Sequence, residues 1–248
     1  RRQRQMCIRD RSCYKNKLTV LPDFPPTLVW FDCWKNDVTA LPLLPANLVK
    51  LECTNNKLTL LPPLPSTLKR LQCGRNLLTI LPELPSGLTD LTCSRNFLTG
   101  LPAFSAVLED LDCKHNLITV LPELPSTLKE LNCSRNLLTS LPEFPSILEY
   151  LNCKRNSITV LPELPQHLVK LICSNNLLTV LPAFPESLEM IKCLQNLLTV
   201  LPDLPSNLSK LNCSKNHLTV LENLPSHLHY LDCSSNHLTV LELSLIHI

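Results

Sequence analysis

Leu128-Lys129-Glu130-Leu131-Asn132-Cys133-Ser134-Arg135-Asn136-Leu137-Leu138-Thr139-Ser140-Leu141-Pro142-Glu143-Phe144-Pro145-Ser146-Ile147 is one copy of a unit that returns every twenty residues along the chain. Cysteine recurs at this spacing from Cys13 through Cys133 to Cys233. Asparagine follows three residues after each cysteine, from Asn16 to Asn236; threonine follows at six, from Thr19 to Thr239, and leucine at eight, from Leu21 to Leu241. A fixed short period of this kind means a stack of identical supersecondary units, each unable to bury its apolar face alone.

Each slot has a mechanical reason. Leu131 and Cys133 alternate with Glu130, Asn132 and Ser134, the period-two signature of a short half-buried strand. Inward residues then stack on their counterparts about 4.8 Å away in the next copy, and the result is a continuous core. A free thiol serves there as a small hydrophobe. Asn136 comes just after the strand, where its side chain can satisfy backbone groups the turn leaves unpaired. Pro142 and Pro145 remove amide donors and fix φ, which rules out helix on the return path and favours an extended, polyproline-like run. The expectation is a repeat solenoid of about eleven parallel strands, centred near Phe31, Leu51 and every twentieth residue to Leu231, with little or no helix.

The unit matches L-x-x-L-x-(L or C)-x-x-N-x-L followed by L-P-x-(L or F)-P. It resembles the leucine-rich repeats, and within them the short bacterial L-P-x-L-P class found in type III secreted effectors. The resemblance covers residues 12–242. It implies a horseshoe with the parallel sheet on the concave side, extended convex segments, and protein recognition as the activity. Cysteine stands where those effectors usually carry valine. The helical amino-terminal cap and the carboxy-terminal ubiquitin-ligase domain of some members have no counterpart here.

Both ends break the repeat. Met6 to Arg11 can be encoded by a string whose reverse complement reads Leu-Ser-Leu-Ile-His-Ile, which is Leu243 to Ile248. With Arg1-Arg2-Gln3-Arg4-Gln5 upstream, the stretch resembles a translated sequencing adapter. Residues 1–11 and 243–248 are therefore expected to be adapter-derived, and 12–242 a solenoid of 11–12 repeats truncated at both ends. The five arginines in 1–11 outnumber Asp10 by four charges, so the formal charge of +2 becomes −2 without them. The mild basicity then says nothing about nucleic acid or membranes.

Catalytic and ligand chemistry is not legible. The cysteines form no C-x-x-C pair and are expected to be a reduced, buried ladder. That points to the cytoplasm, or to delivery into a host cell, rather than to an extracellular site. His217, His227, His229 and His237 lie within two units, but no carboxylate or cysteine completes a metal-ligand spacing. Three glycines, Gly74, Gly87 and Gly100, allow no phosphate-cradling loop. No nucleophile–base pair stands out. The chain is expected not to be an enzyme and to need no cofactor, metal, small-molecule substrate, nucleic acid or membrane.

What remains is a partner surface. Outward strand positions are the ones that vary among the copies, and three groups stand out. Asp90, Asp110 and Glu130 fall on one ladder with Asp112 beside them. Like charges on one sheet face cost stability. Either the basic ridge Arg75, Arg95, Arg135 and Arg155 compensates them, or they await a basic segment. Ile172, Met190 and Leu194 are apolar on a face meant for water, which marks interfaces. Trp30 and Trp34, near Tyr14, are either a binding hot spot or a cover for core at the end of the repeats. The expected partner is another protein on the concave face. A substrate reader for a multidomain effector such as a ubiquitin ligase, and a structural or adhesive array, share the same scaffold.

Overall fold

A computed structural model describes residues 9–241, so the expectations for residues 1–8 and 242–248 lie outside the described residues. The chain divides into two compact units, Arg1–Leu117 and Ile118–Ile248. In the first unit, β1 (Asp10–Ser12), β2 (Trp30–Asp32), β3 (Lys50–Glu52), β4 (Arg70–Gln72), β5 (Asp90–Thr92) and β6 (Asp110–Asp112) pair in chain order, all parallel. The second unit repeats the plan with β7 (Glu130–Asn132), β8 (Tyr150–Asn152), β9 (Lys170–Ile172), β10 (Met190–Lys192), β11 (Lys210–Asn212) and β13 (Tyr230–Asp232). Every register joins residue n to n + 20, as in Leu71↔Leu91 and Leu151↔Leu171. The described residues contain no helix.

The core is a stack of identical layers. In the repeat around Cys153, Leu148, Leu151, Cys153 and Ile158 are fully buried, and the same slots are buried one repeat later at Leu168, Leu171, Cys173 and Leu178. Ten of the thiols, Cys33 to Cys213, are completely enclosed, whereas Cys13 and Cys233 are half-buried. All twelve described cysteines are free. Burial pushes the Cys73 and Cys153 thiols up to about 12, so they stay protonated and unreactive at neutral pH.

Asparagine does more than close its own turn. Nδ2 of Asn76 donates to the carbonyl of Cys73 and to that of Cys53 in the preceding repeat, both at 3.0 Å. Its Oδ1 accepts the Leu58 amide at 3.0 Å. Asn176 repeats the arrangement with Cys173, Cys153 and Ile158. Both side chains are buried, and their bonds to the preceding repeat rivet two copies together. The chain can present it there because the residue just before it adopts left-handed backbone in every repeat, with φ between 51° and 60° from Lys15 to Ser235. None of these residues is glycine, so each left-handed turn costs about 1–2 kcal/mol, which the buried asparagine offsets.

The return path is extended and ends in a tight turn. The Pro145 carbonyl accepts the Leu148 amide at 3.1 Å, and Pro165 and Leu168 do the same.

Two elements depart from expectation. β1 is centred on Arg11, in a slot that calls for leucine, and Arg11 pairs with Phe31. Parallel pairing is made by the main chain, so the open edge of β2 accepts it whatever the side chain. A second, two-stranded ladder also forms on the return path between β12 (Val220–Leu221) and β14 (Val240–Leu241). Glu222 stands where other repeats carry proline, as at Pro202, and so lifts the constraint that excludes pairing there.

Candidate functional site

Outward residues of the strands share one face because side chains alternate along a strand. In the first unit that face carries the aromatic group. Tyr14 and Trp34, equivalent residues one repeat apart, meet with ring centroids at 6.1 Å, and Lys15 Nζ lies 5.0 Å from the Trp34 centroid. This cation–π contact partly occupies the indole. Trp30 sits apart from that pair. It lines a depression of about 260 Å³ with Lys50, Glu52, Arg70 and Gln72. Trp34 lines another of about 330 Å³ with Asp32, Glu52, Thr54 and Gln72. Glu52 and Gln72 are thus common to both. Burial pushes the Glu52 carboxyl up; donors of Thr54 oppose this, with the backbone amide at 2.9 Å, and the neighbouring Asp32 adds to the rise.

The acidic group is also where the ladder reading puts it, but its compensation is not. Asp90 and Asp110 are register partners, and Asp112 lies beside Thr92. Arg70 on β4 holds Asp90 at 2.8 Å, with the Thr89 hydroxyl donating to the other carboxylate oxygen. Lys114 holds Asp112 at 2.6 Å. The cations come from the sheet face itself and not from the ridge of Arg75 and Arg95. That ridge is the left-handed position. Glu130 opens β7 and belongs to the second unit.

In the second unit, Met190 and Leu194 line a depression of about 350 Å³, together with Ile191, Lys192, Lys210, Asn212 and Tyr230. Ile172 is not among its walls; it pairs with Lys192 one strand away. Tyr230 is the residue that the apolar reading left out. It stands on the Trp30 ladder, two strands beyond Met190, and aromatic residues on that ladder are the signal that finds it. Met190, Ile191 and Leu194 thus share the depression with Lys192, Lys210 and Tyr230.

Histidines at the far end form a contact of their own. His217 Nδ1 lies 3.3 Å from His237 Nε2, and the rings stack with centroids at 5.4 Å. Among the described residues no group of three or more His, Cys, Asp or Glu is disposed to hold a metal ion. Among the described residues no helix is long and apolar enough to cross a membrane.

The layered parallel strands, the twenty-residue register and the asparagine rivets settle the architecture. The chain is a leucine-rich-repeat solenoid. It is similar to YopM from Yersinia enterocolitica WA-314, with 32% identity over 95% of this chain and 66% of that one and a TM-score of 0.67. A leucine-rich-repeat protein of Leptospira interrogans is similar at 28% identity, over 90% of this solenoid and 65% of that chain, with a TM-score of 0.70. InlJ from Listeria monocytogenes, whose functional domain includes a cysteine ladder, is similar at 26% identity over 88% of this solenoid and 60% of that chain, with a TM-score of 0.63. The solenoid thus spans about two thirds of the length of these structures or a little less. No protein-family model matches it, and no curated protein matches it.

Proposed function

We propose that the exposed strand face, the concave side of the solenoid, recognises another protein, and that the Met190–Leu194–Tyr230 depression receives an apolar side chain of that partner. The depression is the observation that carries the reading: it combines Met and Tyr, residues adaptable and rigid enough to grip an apolar group, on a face otherwise built for water. Lys192 and Lys210 on its edge favour acidic residues beside the anchor. Trp30 and Trp34 supply a second anchor in the first unit, and Asp90, Asp110, Asp112 and Glu130 set charge preference along the face. No catalytic step is assigned to the chain. Residues 12–242 form the recognition module, a cysteine-bearing variant of the short L-P-x-L-P class.

A panel of fluorescent peptides carrying Leu or Phe between acidic or between basic residues tests this by anisotropy. Peptides with acidic flanks are expected to bind, and Met190→Asp with Leu194→Asp to abolish binding. Lys192→Glu with Lys210→Glu should shift preference to basic flanks. Binding that survives Met190→Asp/Leu194→Asp refutes the assignment.

A further inference from the structure

The flank of the second unit, away from the sheet, exposes an apolar surface that recognition on the strand face does not use. Leu137, Leu177 and Leu197 lie on one line, interrupted by Ser157, four residues past each cysteine; Val160, Val180, Val200 and Val220 form an unbroken one, seven past it. These leucines and valines are all between 41% and 59% exposed. Main-chain bonds fix them repeat on repeat: the Leu177 amide donates to Ile158 and the Leu197 amide to Leu178, both at 2.9 Å. Together they leave on the order of 600 Å² of apolar surface in water, at the upper end of what a monomer tolerates and close to the roughly 800 Å² per partner of a standard interface.

Charges border this surface in opposite senses. Arg135, Arg155 and Lys215, with neutral Asn175 and Gln195 between the last two, run along the side nearest the strands, at the left-handed position. Glu143, Glu163 and Asp203 run along the other side, on the return path, and are exposed. Among the described residues, none of these six charges enters an ion pair within the chain. The flank therefore carries two apolar lines, with exposed Thr159, Thr179 and Thr199 between them, a positive border and a negative border.

We propose that this flank binds the same flank of a second copy of the chain, about a two-fold axis parallel to the lines of repeats. That axis exchanges the borders, so each basic line faces the partner's acidic line while the valine and leucine lines meet between them. A two-fold axis across the lines would set basic on basic and acidic on acidic, which is repulsive. The contact is isologous and closes after two copies. An anionic membrane fits less well, because the acidic border would approach the same surface as the basic one.

Sedimentation velocity on the full chain, from about 1 to 100 µM, reads the mass directly. A dimer is expected, weakened by salt but not abolished, and Val160→Lys with Val180→Lys should return it to monomer with an unchanged circular dichroism spectrum. Cysteine placed singly at Thr159, Thr179 or Thr199, all exposed between the two lines, should form an interchain disulfide at each site, because each faces its own copy. Cross-linking at only one of the three indicates the antiparallel arrangement and overturns the proposed axis. A monomer at the highest concentration, or a dimer indifferent to the two lysines, overturns the interface. So does a monomer that binds phosphatidylserine vesicles through Val160 and Val180. The peptide-binding test uses the strand face and is unaffected by these substitutions, so the two readings fail independently.

Discussion

Asn176→Ala isolates the bond that couples one repeat to the next. The wild-type side chain is buried and makes three principal hydrogen bonds, to the Cys173 carbonyl at 2.9 Å, to the Cys153 carbonyl at 3.1 Å and from the Ile158 amide at 3.1 Å, beside a longer one to the Ser174 carbonyl at 3.5 Å. Their loss is not equal. The Cys153 carbonyl keeps Asn156, and the Cys173 carbonyl keeps Asn196, because each carbonyl is shared by two successive asparagines. The Ile158 amide keeps nothing comparable. An orphaned buried donor costs about 1–3 kcal/mol, and each bond lost at a carbonyl that retains a partner about 0.5–1.5. The sum is on the order of 4 kcal/mol, large against the usual net stability of a domain. Asn16 is the internal control. It is exposed and bonds only within its own turn, to Cys13 and Tyr14, so Asn16→Ala should cost less than about 1 kcal/mol.

Urea unfolding followed by circular dichroism gives the two midpoints. Hydrogen exchange resolved by peptide locates the weakness, since solenoids need not unfold in one step. The expected pattern is a large fall for Asn176→Ala with faster exchange in the repeats containing Cys153 and Cys173. Equal midpoints for Asn176→Ala and Asn16→Ala would refute the coupling role.

Three further outcomes are expected. In an Ellman titration of the Cys7→Ser chain at pH 8, the half-buried Cys13 and Cys233 should react while the enclosed thiols stay silent until denaturant is added. The enclosed thiols also set an alkaline limit: their folded values lie above the ordinary 9.0, at about 12 for Cys73 and Cys153. For Cys73 and Cys153 the contribution is therefore complete below pH 9 and lost between 9 and 12, at about 1.4 kcal/mol per pH unit for each; Cys153→Val should make the decline of melting temperature with pH shallower. At the left-handed Arg75 (φ 51°), Arg75→Asn should stabilise by about 0.5 kcal/mol and Arg75→Val destabilise by more than about 1, read as opposite shifts of the urea midpoint.

The repeat was legible because every copy must bury the same residues in the same order, and that requirement writes leucine and cysteine into fixed slots. The role of asparagine was half legible. A turn residue after a strand can be read locally, but the bond from Asn76 to Cys53 spans 23 positions and exists only once copies are stacked. The left-handed turn was hidden because arginine and lysine occupy it; only Asn55 and Asn175 carry a residue type that suggests it. The strand over Asp10–Ser12 was missed because Arg11 was judged by its side chain, whereas the edge of β2 reads only the backbone. On the sheet face, Tyr14 over Trp34 follows from equivalent positions one repeat apart, and Met190 beside Leu194 from one strand. The third wall, Tyr230, required two further registers, so the depression was only partly visible.

Variation between internal copies was the guide to the partner surface, and it misses surfaces that every copy uses alike. Val160, Val180, Val200 and Val220 occupy one such slot, apolar and exposed in four successive copies. A slot that varies from copy to copy suits a partner with its own irregular shape. A slot that stays apolar in water through successive copies suits a partner with the same period, and a second copy of this chain has that period.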